Sequence, residues 1–292
     1  MSYTIDSNSF SVYNMTVLSS IGALDFPERL GDVDYDWADS NGVEAYVSSS
    51  DLHWDGREIS LLVYYNGSNM YSDLATFRGL YEGQNSALVT TYGSHTATLK
   101  EIKINQVERV NQKAILVLKF WEPSVSVPSV PSATGGSGVK IGAFDLRVDF
   151  GLKVAGQKGL YDHKYNARER SYGNQPKQYS DVPDPRRITL LLNGHYSNAS
   201  NLISNVNNLH AVLRSSGLKV LSYNGITANV YFGDNSKVTV ILQAFMVSIR
   251  LKLRLGEVLS YEDAGQVIYY PKDDNVIFYP GAGKIIYPGG NN

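Results

Sequence analysis

The 292-residue chain contains no cysteine. This absence excludes disulfide bridges, thiolate metal sites and cysteine nucleophiles together. The chain also has little excess charge of either sign, because 26 Lys and Arg stand against 28 Asp and Glu and give a formal net charge of −2 at pH 7. The net charge therefore provides no general attraction to nucleic acid or to an anionic membrane.

Long hydrophobic runs are missing as well. The longest apolar stretches, such as residues 238–245, are the size of a strand, far from the roughly 20 residues that span a bilayer. The first six residues have neither a basic region nor an apolar core, so they do not form a secretory signal. With 43% hydrophobic residues, the composition is typical of a folded protein, and we expect a soluble chain made in a cytoplasm.

What the sequence does have is an internal repeat. The segment REISLLV at residues 57–63 recurs as RRITLLL at residues 186–192, an offset of 186 − 57 = 129 residues. Each copy is followed by a small polar loop and a helix-like stretch. Two long copies of this kind indicate a duplicated domain rather than a solenoid.

A linker separates the two copies. Residues 123–138 carry prolines that include Pro128 and Pro131 and end in a Gly/Ser-rich stretch, a composition that packs neither as a strand nor as a helix. We therefore predict a first β domain at residues 1–122, the linker at 123–138, a second β domain at 139–260 and a C-terminal arm at 261–292.

Hydrophobic periodicity predicts a mainly β fold with one short helix per domain. The first domain is predicted to have strands at residues 11–20, 43–48, 52–65, 87–91, 97–106 and 114–121, with a helix at 74–82 capped by Ser72 or Asp73. The second is predicted to have strands at residues 144–155, 187–192, 218–222, 227–232, 238–245 and 247–255, with a helix that starts at Ser200 or Asn201 and stops before Gly217. Many short strands between turns favour a barrel or a sandwich.

The C-terminal arm contains three β-branched and aromatic triplets, each closed by proline. They include Tyr269, Tyr270, Tyr279 and Tyr287. The triplets are too short to form a core, so they would be most stable on the edge of another sheet. That sheet belongs either to a neighbouring subunit or to the chain's own domain, and the sequence leaves both open.

The densest acidic cluster spans residues 32–39 and includes Asp36 and Asp39. A helix–loop–helix calcium site needs glycine at its sixth position and glutamate at its twelfth. Counted from Asp32, those positions hold Trp37 and Val43. We therefore predict a solvated acidic loop and no metal site.

The segment from His53 to Arg57 is predicted to form a kink at the start of a strand. Gly56 follows Asp55, a tight-turn or bulge signal, and we expect Trp54 to pack beneath the kink and Arg57 to pair with Asp55 or Glu58. A catalytic His–Asp pair would need a nucleophile, but the Gly-x-Ser-x-Gly elbow is missing from the sequence. The sequence also lacks His-x-x-x-His spacing and a phosphate-binding Gly-x-x-x-x-Gly-Lys-Ser/Thr loop, so it predicts no enzyme and no cofactor.

A basic and aromatic loop occupies residues 156–187. It interleaves Tyr161, Tyr165, Arg168, Arg170 and Tyr172 with acidic residues that weaken its field. A loop of this length in a compact domain is usually functional or disordered. We interpret it mainly as a protein contact, with nucleic-acid stacking and simple exposure as the alternatives.

Three segments of the first half carry a family resemblance: Phe26-Pro27-Glu28-Arg29, Asp36-Trp37-Ala38-Asp39, and the strand entry from Leu52 to Ile59. Residues 10–121, and more faintly 141–255, resemble the ring-forming domain of phage distal tail proteins and of related tail-tube and baseplate-hub modules. The resemblance implies a split β-barrel flanked by a helix, in which neighbouring copies join sheets around a lumen. It makes residues 57–63 and 186–192 barrel strands and the loops 32–42 and 156–185 contacts between subunits or rings, and it carries over no catalytic residue.

One departure from the family bears on assembly. A distal tail protein of the usual kind has one ring module and a different C-terminal domain, whereas here the second half repeats the first. Two modules per chain imply either three chains in a pseudo-sixfold ring or six chains in two stacked rings.

The sequence thus favours a structural virion protein of a phage tail tip or baseplate, assembled in the host cytoplasm. Its partners would be copies of itself and the tube, hub, tape-measure and receptor-binding proteins, with DNA only as passing cargo. The interface candidates are Asp36, Trp37, Asp39, Trp54, Arg57, Tyr161, Tyr165, Arg168, Arg170, Tyr172, Tyr269, Tyr270, Tyr279 and Tyr287. The alternatives are a cell-surface carbohydrate-binding module that uses the C-terminal tyrosines and, more remotely, a glycosidase that uses Asp36 and Asp39.

Overall fold

A computed structural model describes residues 3–32, 34–36, 43–108, 111–159, 165–170, 178–183, 187–256, 277–278 and 285–286, with the backbone alone at 35–36, 43–44, 165–170, 178–183, 277–278 and 285–286. The fold is mainly β, as predicted, with two large antiparallel sheets and three α-helices in these ranges. None of the described helices is both long and apolar enough to cross a membrane.

The first sheet is formed by strands from the first half of the chain. The strands of this half are β1 (Thr4–Ile5), β2 (Asn8–Ser9), β3 (Met15–Ile21), β4 (Asp34–Asp36), β5 (Val43–Ala45), β6 (Arg57–Tyr65), β7 (Asn85–Thr90), β8 (Gly93–Glu108) and β9 (Lys113–Glu122). Seven of them form the sheet, in the order β2-β1-β7-β8-β9-β6-β3, while β4 and β5 form a separate hairpin. Alternate residues of β6 and β9 are buried, which is the period-two pattern that a half-buried strand requires.

Helix α1 (Met70–Tyr81) packs on this sheet through Met70, Leu74, Phe77 and Tyr81. It begins four residues before the predicted start, directly after its N-cap residue Asn69. The prediction started the helix too late because Ser72 and Asp73 are good capping residues by type, whereas Met70 lies on the buried face and extends the helix towards its N-terminus.

The second sheet is formed by strands from the second half. The strands of this half are β10 (Lys140–Ile141), β11 (Phe144–Asp145), β12 (Leu152–Lys158), β13 (Tyr165–Arg170), β14 (Gln178–Pro183), β15 (Arg187–His195), β16 (Lys219–Tyr223), β17 (Ile226–Tyr231), β18 (Lys237–Ile241) and β19 (Met246–Leu255). The sheet has the order β11-β10-β16-β17-β19-β15-β12, with β18 also paired to β19. Strands β13 and β14 pair with each other, as do β20 (Ile277–Phe278) and β21 (Ile285–Ile286).

The two sheets repeat one another in detail. Each order runs through equivalent elements, and α1 corresponds to α3 (Ala199–Arg214). The edge strands share a bulge, because the register shifts past Leu18 where β3 pairs with β6 and past Ala155 where β12 pairs with β15. We call the first sheet with α1 the first unit, and the second sheet with its helices the second unit.

Residues 144–155 do not form the single strand that the sequence predicted. They divide into β11, the short helix α2 (Leu146–Phe150) and β12. The Asp145 side chain accepts hydrogen bonds from the backbone amides of Arg147 and Val148 and so starts the helix. Gly151, with a φ of 67°, ends it.

Two hydrophobic clusters lie beneath the sheets, one for each unit. The second cluster includes Leu24 and Phe26, which belong by sequence to the first half. The first half thus contributes side chains to the core of the second unit. The predicted domain boundaries remain predictions, and most of the predicted C-terminal arm lies outside the described residues.

Candidate functional site

The contact between the two units is the candidate site, and the described residues of the segment 22–56 build most of it. We call this segment, which joins β3 to β6, the connector. It leaves the first sheet at Gly22, whose φ is 89°. A Cβ at this position would clash with the carbonyl oxygen of Glu58, so only glycine allows the chain to turn away here.

The connector reaches the second unit beside β18 and pairs with it through the backbone. The amide of Phe26 donates to the carbonyl of Ser236 at 3.0 Å, and the amide of Ser236 donates to the carbonyl of Phe26 at 2.9 Å. The amide of Arg29 also donates to the carbonyl of Gly233 at 3.0 Å. This is a short antiparallel extension of the second sheet by a segment from the first half.

Asp25 fixes the register of this contact. Its Oδ1 accepts from the backbone amide of Val238 at 2.8 Å, and its Oδ2 accepts from Lys237 Nζ at 2.9 Å. The Lys237 side chain is 73% exposed, so the ion pair itself contributes little free energy. The hydrogen bond to the buried amide contributes more, because that amide would otherwise lie unpaired.

Aromatic rings fill the contact. Phe26 is 1% exposed and stacks on the His210 ring, with centroids 4.4 Å apart and planes inclined by 10°. Trp54 stacks on Phe232 at 5.5 Å, and the Arg214 guanidinium lies 5.0 Å from the Trp54 ring centroid. Burial, reinforced by the nearby Arg214 and Arg57 charges, holds the pKa of His210 well below its usual value. His210 is therefore neutral and acts as an aromatic surface for Phe26.

A polar network closes one side of the contact. Asp34 accepts hydrogen bonds from the Tyr231 hydroxyl and from Arg254 Nη1, the latter at 3.0 Å, while Asp234 accepts from Arg254 Nη2 at 2.7 Å. Burial and the hydrogen bond to Asp34 raise the pKa of Tyr231. Burial disfavours the charged form of Arg254, but the two carboxylates outweigh it and raise its pKa. The raised pKa values keep the Tyr231 hydroxyl protonated and Arg254 charged across the neutral range, and Asp34 joins the units.

Two further backbone groups of the first half contact the second unit. Arg214 Nη1 donates to the carbonyl of Val125 at 2.8 Å, and the amide of Gly217 donates to the carbonyl of Val47 at 2.8 Å. Val125 lies in the predicted linker and is buried. The linker therefore begins as part of the contact.

A buried ion pair anchors the connector to the first unit. Arg57 Nε donates to Glu122 Oε2 at 2.7 Å, and Arg57 Nη1 donates to the carbonyl of Asp25 at 3.3 Å. The predicted partners of Arg57, Asp55 and Glu58, were wrong, because β6 lies beside β9 and places Arg57 opposite Glu122. Arg57 thus links the first sheet to the residue that fixes the register on the second.

His95 extends this ion pair into an arrangement that superficially resembles a catalytic triad. Its Nδ1 lies 3.2 Å from Glu122 Oε2 and its Nε2 lies 3.1 Å from Thr90 Oγ1. Thr90 and His95 are each only 6% exposed, and Arg57 already neutralises the carboxylate. A nucleophile must reach its substrate, so we interpret this cluster as structural.

The structure brings two of the sequence-predicted interface residues to the site. Trp54 packs on the second unit, and Arg57 anchors the connector. For Asp36, Tyr165, Arg168 and Arg170 the backbone lies in strands β4 and β13, and their side chains are outside the described residues. Wholly outside them are Trp37, Asp39, Tyr161, Tyr172, Tyr269, Tyr270, Tyr279 and Tyr287.

Sequence reasoning missed most of the contact residues. They are Asp25, His210, Arg214, Phe232, Lys237 and Arg254, whereas Asp34 lies in the acidic loop 32–42 that the resemblance makes a contact. One signal was available for Asp25: Gly22 and Asp25 are separated by two residues, as are Gly159 and Asp162 in the second half. The others come from distant parts of the chain, and no local pattern marks them.

The described side chains include no group of three or more His, Asp or Glu residues arranged to hold a metal ion. Comparison with protein-family models, curated protein sequences and solved structures finds no significant match.

Proposed function

We propose that this chain is a structural, ring-forming component of the tail tip or baseplate of a phage or phage-like particle. It would join the tail tube to the distal hub or to the receptor-binding apparatus. One observation carries the proposal: the connector of one unit is seated on a strand edge of a second unit that has the same topology.

Such a contact uses different surfaces on its two sides. The first unit contributes its connector and the second contributes the edge of β18. A contact of this heterologous kind leaves one unmatched surface of each type, so it propagates from unit to unit and ends either in a closed ring or in a filament. Two like units in one chain supply the first step.

Open strand edges support the same proposal. Within the described ranges, β3 is an outer strand of the first sheet and β12 is an outer strand of the second. On β3, Leu18 is 54% exposed and Ile21 is 69% exposed. Edge strands that display apolar side chains are templates for pairing with another chain, which a ring would provide.

The phage context comes from the sequence resemblance in residues 10–121. The mild net charge of −2 suits a lumen through which DNA passes without binding. The carbohydrate-binding alternative depends on tyrosines outside the described residues, and no described contact favours it.

The test is the assembly state of the purified full-length chain. We expect annular particles in negative-stain micrographs and a mass by light scattering that corresponds to a fixed multiple of three chains. With interfaces of ordinary strength, the measured particle mass should stay constant when the protein is diluted over about two orders of magnitude in concentration. A chain that stays monomeric at high concentration, alone and with neighbouring tail proteins, would refute the proposal.

A further inference from the structure

The two halves of the chain carry opposite charges, which nearly cancel in the total. Residues 1–122 contain 16 Asp and Glu against 8 Lys and Arg, whereas residues 139–260 contain 8 Asp and Glu against 16 Lys and Arg. The formal charge is therefore −8 for the first half and +8 for the second. An asymmetry of this size bears on association with a partner, because surface charge steers and orients binding.

Much of the positive charge lies on one face of the second sheet. Strands β12, β15 and β19 contain no Asp or Glu. Their inward residues belong to the hydrophobic cluster, and their outward residues are rich in Lys and Arg. Residues that lie opposite each other on paired strands point to the same side of a sheet, and the strand registers bring six cations together in this way. We call this surface the basic face: Lys153, Lys158, Arg187, Arg250, Lys252 and Arg254.

The first sheet has different chemistry at the same places. Strands β9 and β19 each have ten residues and bury every second one. Their fifth residues are Val117 and Arg250, and their ninth residues are Trp121 and Arg254. The strand therefore forms equally well with apolar or with basic residues on its outer side.

The edge strand shows the same change. Strands β3 and β12 each have seven residues and share a bulge at the same position. Their second residues are Thr16 and Lys153, and their seventh residues are Ile21 and Lys158. Because the first sheet keeps the topology without these cations, the basic face serves a role that belongs to the second unit alone.

Part of the basic face is neutralised within the chain. Arg254 binds Asp34 at 3.0 Å and Asp234 at 2.7 Å, and Arg187 Nε lies 3.5 Å from Asp234. Asp34 belongs by sequence to the first half. A carboxylate of the first half thus already binds this face in the folded chain.

Three cations of the face have no such partner. Lys153, Lys158 and Arg250 are exposed, and among the described residues no carboxylate forms an ion pair with them. The described connector contacts the sheet at β18, whereas Lys153 and Lys158 lie on β12, three strand spacings away in the order β18-β19-β15-β12, or about 14 Å. The carboxylate of Asp25, which the connector holds at β18, therefore lies at the opposite side of the sheet from these two lysines.

We propose that the β12 side of the basic face, with Lys153, Lys158 and Arg250, binds the acidic first half of a second copy. The occupant is a second copy because its first half carries the matching charge of −8 and because first-half carboxylates are what this face binds within the chain. A contact between unlike surfaces repeats from chain to chain. This inference deepens the proposed ring function and rests on it.

The composition of the face favours a protein partner over nucleic acid. Strands β12, β15 and β19 contain no Phe, Tyr or Trp, so the face offers no ring on which a base could stack. It does contain Leu191, which is 39% exposed and lies opposite Arg250. An exposed apolar side chain among charges suits a protein surface with an apolar centre and a polar rim.

Charge reversal tests the face in the full-length chain. The triple variant Lys153→Glu, Lys158→Glu and Arg250→Glu should weaken self-association by roughly tenfold or more, because it places like charges together. Raising the salt concentration from about 50 to about 500 mM should weaken association of the parent and change that of the variant little. Sedimentation velocity measures association, and thermal melting followed by circular dichroism verifies the fold.

Two further triple variants complete the design. The charge-matched control reverses three exposed cations outside the face, Lys100, Lys103 and Arg147, to glutamate and should associate like the parent. A triple glutamine variant of Lys153, Lys158 and Arg250 removes charge without adding repulsion. It should weaken association by roughly threefold or more, and it decides the test if the glutamate variant does not fold.

Mixing identifies the two sides of the contact. The glutamate variant of the face keeps its acidic first half, so it can bind the basic face of a parent chain but cannot continue the series. Added in excess to dilute parent before assembly, it should reduce the mass of the assemblies. The control variant should enter the assemblies and leave their mass unchanged.

Three results would overturn the inference. If the parent assembles and the variants of the face assemble equally well, another surface forms the ring, and the proposed function survives without this contact. If those variants assemble normally but lose binding to a fluorescent DNA duplex that the parent binds, the face is a nucleic-acid site. If the parent does not assemble, both proposals fail.

Discussion

At the scale of single residues, the buried polar groups decide which parts of the chain are held together. Arg57 is 8% exposed and Glu122 is 3% exposed, so neither charge is solvated by water. Breaking such a pair leaves an uncompensated charge in the interior, which costs more than the intact pair contributes. Arg57 also donates a hydrogen bond to the Asp25 carbonyl, so the ion pair stabilises the connector as well as strand β6.

Glu122→Leu should therefore lower the free energy of unfolding by about 3–5 kcal/mol. The double variant Arg57→Met with Glu122→Leu should recover a large part of that loss, because no charge is then stranded. The second unit supports this control, since Leu255 is the tenth residue of β19 as Glu122 is of β9. Urea unfolding measures both variants. A double variant less stable than Glu122→Leu alone would contradict the argument.

The same substitution should have a pH-dependent effect. Burial raises the pKa of Glu122, but the hydrogen bond from His95 and the Arg57 charge outweigh it, so the pKa lies below its ordinary 4.5. A carboxyl with a lower pKa in the folded state contributes stability that is present above its unfolded pKa and is lost as the pH falls through the folded value. The stability difference between the parent and Glu122→Leu should therefore shrink as the pH falls below 4.5. A difference that stays constant in acid would show that the ionised form of Glu122 is not what stabilises the fold.

At the scale of elements, the repeat is most exact where the edge strand passes into the connector. The bulge, the glycine after the strand and the carbonyl it faces recur in both units. Hydrophobic patterning does not require any of these features, since a strand can alternate without a bulge. Their recurrence indicates that both units keep the same backbone geometry at the end of the edge strand.

Gly22→Ala and Gly159→Ala should each destabilise the protein by more than Gly31→Ala does. Gly31 also has a positive φ, of 75°, but a Cβ there meets no atom within 4 Å, so it should cost only the conformational strain of about 1–2 kcal/mol. The other two add a clash with the carbonyl of Glu58 or Arg187, which forces the backbone to move. Thermal and urea unfolding rank the three variants. Equal losses at all three positions would show that the close approach has no energetic consequence.

At the scale of the whole molecule, the connector makes the second unit depend on the first. Phe26 is counted by sequence with the first half, but it packs in the hydrophobic cluster of the second unit. Together with Trp54 and Asp34 it covers the end of α3 and the break between β17 and β18. The two units are therefore packed against each other and are not independent domains joined by a flexible linker.

Phe26→Ala should loosen the second unit, although the mutation lies in the first half of the sequence. The loss of a buried phenylalanine costs about 3–5 kcal/mol, and we expect it to appear as faster amide hydrogen exchange in α3 and β17, with little change in α1 and β9. Phe77→Ala, which removes a ring from the first cluster, should give the reverse pattern. Exchange followed by mass spectrometry on peptides resolves the two. Faster exchange confined to the first unit in Phe26→Ala would refute the dependence.

Local patterns in the sequence account for much of the strand content. The alternation in residues 57–65 and 113–122 predicts half-buried strands, since side chains on a strand point to opposite faces in turn. Where a short local signal overrides the pattern, prediction from periodicity fails. Asp145 and Gly151 bound a helix within residues 144–155, which the alternation predicts as one strand, and the change of direction is set by their hydrogen bonds and dihedral angles rather than by hydrophobicity.

The sequence by itself determined the mainly β class, the repeat of the central strand and the lack of cysteine chemistry, because each follows from residue type or from spacing along the chain. Only the tertiary structure decided that Arg57 pairs with Glu122, that Phe26 stacks on His210 and that Asp25 holds β18. Those partners are between 65 and 213 residues apart, and no local rule relates them. Contacts of this range are fixed by the order of strands in the sheets, which depends on the packing of the entire chain.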